Sequence, residues 1–147
     1  MTTNRVFFPQ HPEHVNEVIR WLQSNMEEMQ GWNCHNSYAV SINDGVRTKA
    51  SILYTDVTSE NCQMHITSVD PTWCNRRVLH DLFWYPFDFL KLNRITIITK
   101  KKNNKLSNFV KRIGFKNEGE LEEFYKDDDA LIWGILKRNC KWIKGVH

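Results

Sequence analysis

Long apolar runs are absent from this sequence, because charged residues interrupt every apolar stretch within a few positions. A membrane-spanning helix needs about 20 predominantly apolar residues, so we expect no membrane span. The first residues, MTTNRVFFPQHPEH, also lack a basic segment followed by a long apolar one, which predicts no secretory signal. These two absences favour a cytoplasmic protein.

Closely spaced cysteine pairs are absent as well. Cys34, Cys62, Cys74 and Cys140 form no Cys-x-x-Cys motif, and free thiols in a reducing compartment are the simplest interpretation. Cys62 and His65 lie at an odd offset in a predicted strand, so their side chains leave on opposite faces. We therefore predict no metal site.

Linkers, repeats and low-complexity segments are also missing, and the 147 residues predict a single domain over 1–147 with one core. The net charge of +3 is too small to indicate a nucleic-acid partner by itself. Two local runs, the basic TKKKNNK and the acidic EGELEEFYKDDD, are interpreted first as solvated surface.

Glycine is missing from a turn where it would be informative. The stretch SVDPTWCNRRVLHDLF, residues 68–83, predicts a strand, a tight turn at Asp70-Pro71 and a helix that begins with two arginines. Such turns often bind anions through free backbone N–H groups, usually with glycines that allow close approach. Three interpretations stay open: a phosphate site built without glycine, a degenerate phosphate site, or a surface turn.

Several local signals define the other elements. HPEHVNEVIRWLQSNM has helical spacing with Pro12 in the first turn, and Asn43-Asp44-Gly45 between two β-prone runs predicts a hairpin. In RRVLHDLFWYPFDFLKL, Pro86 lacks the N–H that would pair with the carbonyl of Leu82, so we expect a kink rather than a helix end. NNKLSNFVKRIGF predicts a short helix closed by Gly114.

The remaining β-prone segments complete the order strand, helix, two or three strands, helix, strand, helix, strand, strand. A helix joins the fourth and fifth strands, so we expect these two to be parallel neighbours, while the hairpins are antiparallel. The sequence therefore predicts an α/β (α+β) fold with a mixed sheet covered by helices.

The segment RIGFKNEGEL carries a family resemblance. WYPFDFLKLNRITIIT, Asn103, IGF, EG and LIWGILKRNCKW follow one another over residues 61–142. This order resembles the C-terminal half of the GNAT-superfamily N-acetyltransferases, most of all the branch that includes the ribosomal-protein N-terminal acetyltransferases. The resemblance implies a GNAT-like mixed, mostly antiparallel twisted sheet of six to seven strands flanked by about four helices.

The same resemblance implies a function. It implies an acetyl-CoA-dependent N-acetyltransferase in which a primary amine, of a small molecule or a protein N-terminus, attacks the thioester directly. A monomer or homodimer is expected, with no nucleic-acid partner. Alternatives are a non-catalytic protein of this fold that binds CoA or a protein partner, and a nucleic-acid-binding module that uses the lysine run.

The resemblance places the cofactor on the turn without glycine. With Pro71 and Trp73 aligned to the family's pyrophosphate loop, Asn75 and Arg77 stand where two glycines are usual. Asn75 is expected in a left-handed conformation, which asparagine tolerates best after glycine, and the arginines are expected to hold phosphate oxygens; structural ion pairs are their alternative. The implied cofactor-binding residues are Ser68, Val69, Cys74, Asn75, Arg76, Arg77, Val78, Leu79 and Asn103.

The implied chemistry centres on a gap where the fourth and fifth strands separate near Ile66 to Val69, with a fourth-strand N–H holding the oxyanion. The family's acid, a tyrosine, falls on Val110 here, so Ser107 or a water molecule would substitute. His65 is the candidate base and Tyr125 a second candidate acid; a packed strand histidine and a core aromatic are their structural alternatives.

Two further expectations concern the edges of the site. Lys100 to Lys102 either meet the CoA 3′-phosphate or form a solvated cluster. Trp21 and Trp32 either line the acceptor cleft or serve in packing.

Overall fold

One seven-stranded sheet organises the residues that the computed structural model describes, 4–25 and 37–143. The strand order is β1-β2-β3-β4-β5-β7-β6. The strands are β1 Arg5–Phe7, β2 Tyr38–Asn43, β3 Thr48–Thr55, β4 Asn61–Ser68, β5 Arg94–Lys100, β6 Lys116–Tyr125 and β7 Asp128–Leu136. The helices are α1 Pro12–Asn25, α2 Arg76–Trp84 and α3 Asn104–Arg112.

All neighbouring strands run antiparallel except β4 and β5, which are parallel. The α/β class and the predicted parallel pair are thereby confirmed. The described residues hold three α-helices, where the resemblance implied about four. No helix in the described part is long and apolar enough to span a membrane.

The two faces of the sheet carry different helices. Cys62, Met64 and Ile66 of β4 join the large apolar cluster that contains the buried side chains of α2 and α3; we call this side the α2 face. On the opposite side, the α1 face, Val18 and Leu22 of α1 pack against β2 and β3. Because side chains alternate along a strand, this division assigns each residue of β4 and β5 to a face.

Helix α2 continues past Pro86 by widening. A π-helical turn, Tyr85–Phe89, follows Trp84, and the N–H of Leu90 donates to the carbonyl of Tyr85 at 2.9 Å. The helical path therefore does not stop at Pro86, as expected, because the wider turn accommodates the missing N–H. The carbonyl of Leu82 accepts instead from the fully buried hydroxyl of Tyr54, at 2.7 Å.

Two turns form as the sequence predicts. Gly45 and Gly114 adopt φ values of 93° and 116°, a region that costs glycine little. Gly45 belongs to the β2–β3 hairpin, where Asp44 accepts hydrogen bonds from the N–H groups of Val46 and Arg47. These hydrogen bonds lower the pKa of the Asp44 carboxyl. Gly114 ends α3, as expected.

Tyr54→Phe tests the substitute partner of Leu82. Removing the hydroxyl leaves a buried carbonyl without a donor, so we expect the free energy of unfolding to fall by about 1–3 kcal/mol. Urea denaturation measures the loss. Tyr85→Phe is the matched control, since the described residues offer no hydrogen bond to that hydroxyl. Equal effects of the two variants would contradict the role of Tyr54.

Candidate active site

The parallel pairing of β4 and β5 stops before either strand ends. Their register runs from Asn61↔Arg94 to Gln63↔Thr96 and no further. Beyond it, β4 stays paired with β3 as far as Ala50↔Ser68, and β5 with β7 as far as Lys100↔Ala130. The two halves of the sheet therefore separate and leave a gap between Met64–Ser68 and Ile97–Lys100.

The β4 edge of this gap exposes main-chain groups. The N–H of Val69 donates to the carbonyl of Lys49 at 2.9 Å. Every second residue before Val69, such as Thr67, therefore also directs its N–H and C=O groups toward β3. By the alternation of a strand, Ile66 and Ser68 direct theirs toward β5. Since the β4–β5 register has ended there, these N–H and C=O groups face the gap.

A polar network on the α1 face fixes the base of the gap. The hydroxyl of Thr96 donates to Asn61 Oδ1 at 2.8 Å, and Arg94 Nε donates to Thr96 Oγ1 at 3.0 Å. The Arg94 guanidinium also binds Glu118 of β6 through two hydrogen bonds, which lower the pKa of Glu118. This ion pair crosses β7 at Gly134, where a Cβ would lie 2.6 Å from Arg94 Nη2. The network joins β4, β5 and β6 at the point where β4 and β5 begin to separate.

The turn from β4 to α2 is held on several sides. Asp70 accepts from the N–H and hydroxyl of Thr72 and pairs with Arg47. The hydrogen bonds from Thr72 are the main reason that the pKa of Asp70 is lowered. Trp73, only 6% exposed, packs against Phe109 of α3 with ring centroids 5.4 Å apart. The turn is therefore anchored both to the β2–β3 hairpin and to α3.

Asn75 does not replace a left-handed glycine, so that prediction is wrong. Its φ and ψ are −144° and 176°, an extended conformation, and its Oδ1 accepts from the N–H of Val78 at 2.9 Å. Asn75 is thus the N-cap of α2, a position that asparagine favours. The cap occupies the Val78 N–H and leaves the N–H groups of Arg76 and Arg77 as the free donors of the first turn.

The cations near this helix end come from two helices. Arg76 and Arg77 are exposed, and the described residues provide them with no ion-pair partner. Arg112 of α3 acts electrostatically on Cys74, but burial is the larger effect and raises the pKa of this thiol to about 11. Sequence reasoning missed Arg112, whose only signal was its place near the end of the predicted third helix.

The other residues predicted to bind the cofactor take different positions. Ser68 and Val69 are exposed at the end of β4, whereas Val78 and Leu79 are buried in the core and can offer only main-chain groups. Asn103 is the N-cap of α3, since its Oδ1 accepts from the N–H of Leu106 at 3.1 Å.

The three candidate catalytic residues lie on different faces. His65 is half-buried on the α1 face, with Nε2 2.8 Å from Thr55 Oγ1. Ser107 lies on the α2 face, 3.2 Å from Thr99 Oγ1, which also accepts from Trp133 Nε1 at 3.0 Å. The sheet therefore separates His65 from Ser107, and the structure does not group them directly.

Tyr125 contacts the side chain of Lys100, the last residue of β5. Its ring is 5.3 Å from Lys100 Nζ, and Lys100 shares the α1 face because Thr99 belongs to the opposite one. Val110, the position at which the resemblance predicts a tyrosine, is fully buried in the core. On the α1 face, the candidate groups near the gap are therefore His65 and Tyr125.

Two of the three lysines are engaged by the β6–β7 hairpin. Lys101 Nζ is 3.1 Å from Glu120 Oε2, and Lys102 Nζ donates to the carbonyl of Asp127 at 3.0 Å. The Lys102 N–H also donates to the carboxylate of Asp128. These contacts hold the hairpin against β5.

Two expectations concern metal ions and tryptophans. The described residues contain no group of three or more potential metal ligands. Trp21 packs beside Val18 and lines a cavity on the α1 face, and Trp32 lies outside the described residues.

Neither a protein-family model nor a curated protein matches this sequence. Solved structures do share its fold. The spermidine/spermine N-acetyltransferase SpeG of Vibrio cholerae has a TM-score of 0.68 at 16% identity, covering 90% of this chain and 92% of that one. The ribosomal-protein-S5-alanine acetyltransferase of Vibrio fischeri has a TM-score of 0.68 at 15% identity, covering 95% of this chain and 94% of that one. The Campylobacter jejuni N-acetyltransferase PseH, in complex with acetyl coenzyme A, has a TM-score of 0.63 at 12% identity, covering 92% of this chain and 99% of that one. The chain thus has the fold of GNAT acetyltransferases.

Substitutions of Asn75 distinguish an N-cap from a left-handed turn residue. We expect Asn75→Ala to lower the free energy of unfolding by about 1 kcal/mol, and Asn75→Gly by only a few tenths. Chemical denaturation measures both. A glycine variant more stable than the parent would instead indicate a left-handed residue, for which glycine is the better choice.

Proposed function

We propose that this protein is an acetyl-CoA-dependent N-acetyltransferase acting on a primary amine. The observation that carries the proposal is the gap between β4 and β5, which ends beside the N-terminus of α2 and its two exposed arginines. A gap that exposes main-chain donors, next to a helix end rich in positive charge, suits an extended thioester that carries a diphosphate.

The residues present fit this cofactor without glycine. In our proposal the N–H groups and guanidinium groups of Arg76 and Arg77 bind the diphosphate, because arginine forms bidentate hydrogen bonds to phosphate oxygens. Arg112 adds a third positive charge from α3. The cofactor supplies an activated acetyl group, and the exposed Ile66 and Ser68 main chain supplies hydrogen bonds that align it.

The α1 face is the proposed acceptor side. His65 lies there beside Thr55, and we assign it the removal of a proton from the amine, since an amine is mostly protonated near neutral pH. Tyr125 lies on the same face and remains the candidate donor to the thiolate. Ser107 is less suited to that role, because its hydroxyl is buried between α3 and β5, next to the hydroxyl of Thr99. A small-molecule amine and a protein N-terminus both remain candidate acceptors.

A non-catalytic protein of this fold is the second candidate. Two observations favour it: the Asn75 side chain occupies an N–H at the phosphate end, and Val110 replaces the tyrosine of the family. This candidate predicts CoA binding without acetyl transfer. A nucleic-acid-binding module is less well supported, since the β6–β7 hairpin engages Lys101 and Lys102.

Calorimetry with acetyl-CoA tests the cofactor site. We expect the double variant Arg76→Ala/Arg77→Ala to raise Kd about tenfold, because two exposed charge contacts of about 0.7 kcal/mol each are lost. Lys116→Ala is the control, since it removes an exposed cation from β6 on the far side of β7. An unchanged Kd in the double variant would contradict the proposed diphosphate site.

A thiol-release assay with a panel of amines tests catalysis. We expect His65→Gln, which keeps a polar partner for Thr55, to lower kcat about 100-fold and to leave the Kd of acetyl-CoA unchanged. Ser107→Ala is the comparison, with a smaller expected effect on kcat. Acetyl-CoA binding by the parent protein without thiol release on any amine would favour the non-catalytic candidate.

A further inference from the structure

A cavity of about 410 Å³ lies on the α1 face, between α1 and the strands β1 to β3. Helix α1 contributes His14, Glu17, Val18 and Trp21, and β1 contributes Phe7. Polar side chains of the β2–β3 hairpin line the rest: Ser41, Asn43, Thr48 and Ser51.

The lining of this cavity includes one carboxylate, that of Glu17, and one histidine, His14, with which it forms no ion pair. Glu17 is the only Asp or Glu among the lining residues, which include neither Lys nor Arg, and the described residues give it no ion-pair partner. The rings of Phe7 and Trp21 accompany it, and aromatic faces attract organic cations. A carboxylate beside aromatic rings favours an ammonium group on a hydrocarbon chain.

Ser41 provides a second, independent sign of a ligand. It is only 6% exposed, yet its hydroxyl has no hydrogen-bond partner within the described residues. Its neighbour Ser51 differs, because that hydroxyl donates to the carbonyl of Val40 at 2.6 Å. No buried side-chain N or O atom of the described residues lacks a hydrogen-bond partner, so the unpaired Ser41 oxygen is accessible from the cavity that this residue lines. It is therefore available to accept a hydrogen bond from a molecule in the cavity.

The cavity lies level with the open end of the β4–β5 gap. Ser41 pairs with Ser51, and Ser51 pairs with Thr67 of β4, so these three residues form one row across the α1 face. Neighbouring strands are about 4.8 Å apart. Strand β4 lies one such spacing from the Ser51 end of the cavity, so the middle of the gap on its far side lies roughly 7–10 Å away, between one and two strand spacings.

We propose that this cavity binds the non-reacting ammonium end of a small diamine acceptor, whose other amine extends across Thr67 to the gap. The assignment of the acceptor role rests on the proposed acetyl transfer, whereas the ammonium site itself rests on Glu17, the two rings and Ser41. An amine bound wholly inside the cavity would lie one strand away from the gap, so the ligand needs two nitrogen atoms.

Calorimetry without acetyl-CoA tests the ammonium site, with diaminooctane as the probe and octanediol as its uncharged counterpart. We expect diaminooctane to bind and octanediol not to bind. Glu17→Gln should raise the Kd of diaminooctane about fivefold, as for the loss of an exposed ion pair. Glu13→Gln is the matched control, because Glu13 is an exposed carboxylate of α1 that does not line the cavity. Equal binding of octanediol, or an unchanged affinity in Glu17→Gln, would overturn the site.

Ser41→Ala separates ligand binding from a structural role. We expect diaminooctane affinity to fall about threefold, as for one lost hydrogen bond, while urea denaturation shows no loss of stability, because the hydroxyl has no partner in the protein. Lower stability with unchanged affinity would overturn the assignment of Ser41.

Acetylation kinetics test the second amine. We expect kcat/KM for diaminooctane to exceed that for diaminobutane, which is too short to span both positions, and Glu17→Gln to abolish this difference. Thiol release with other amines but no diamine binding would overturn the cavity proposal alone. Glu17-dependent diamine binding in a protein that does not bind acetyl-CoA would instead overturn the proposed function and leave the ammonium site in place.

Discussion

The separation of β4 from β5 is the constraint on which the candidate site depends. Each strand keeps its antiparallel partner to its end, β4 with β3 and β5 with β7, so each half of the sheet stays intact where the two halves separate. The Asn61–Thr96–Arg94–Glu118 network holds them together below that point. A sheet held at one end and separated at the other exposes main-chain groups that a continuous sheet would pair, and a ligand can use them.

In the proposed cofactor site, the phosphate end of the gap would depend on charge rather than on close backbone approach. Glycine would allow a diphosphate to contact the turn directly, whereas here Asn75 caps the helix and Arg76 and Arg77 extend from its first turn. Trp73 and Asp70 hold the turn in place. Guanidinium groups reach further than backbone N–H groups, so in the proposed site they would contact a diphosphate that the main chain of the turn does not approach closely. Positive charge at a helix N-terminus is less favourable for the helix itself, and the anionic ligand proposed above would offset this cost.

Pro86 shows how a local signal and a distant residue combine. The sequence identifies the missing N–H opposite the carbonyl of Leu82, but not the donor that replaces it. That donor, Tyr54, belongs to β3 and lies 28 residues before Leu82 in the sequence. The π-helical turn that contains Pro86 begins at Tyr85. The ring centroid of Tyr85 lies 4.8 Å from that of Tyr38 and 5.0 Å from that of Tyr54. The N–H that Pro86 lacks thus explains both the wider π-helical turn at the end of the helix and the hydrogen bond from the buried Tyr54 hydroxyl to the Leu82 carbonyl.

Periodicity and turn residues were sufficient to predict the order of elements, the β2–β3 hairpin, the end of α3 at Gly114 and the parallel pairing of β4 with β5, because each depends on contacts close in sequence or on chain connectivity. The conformation of Asn75, the pairing of the lysine run with an acidic hairpin, the burial of Ser107 against Thr99 and the cavity beside Glu17 could not be predicted in this way. Each depends on which side chains meet across the sheet, and strand register decides that. The sequence alone therefore determined the architecture, while only the tertiary structure decided which polar groups are already paired and which remain free to bind a ligand.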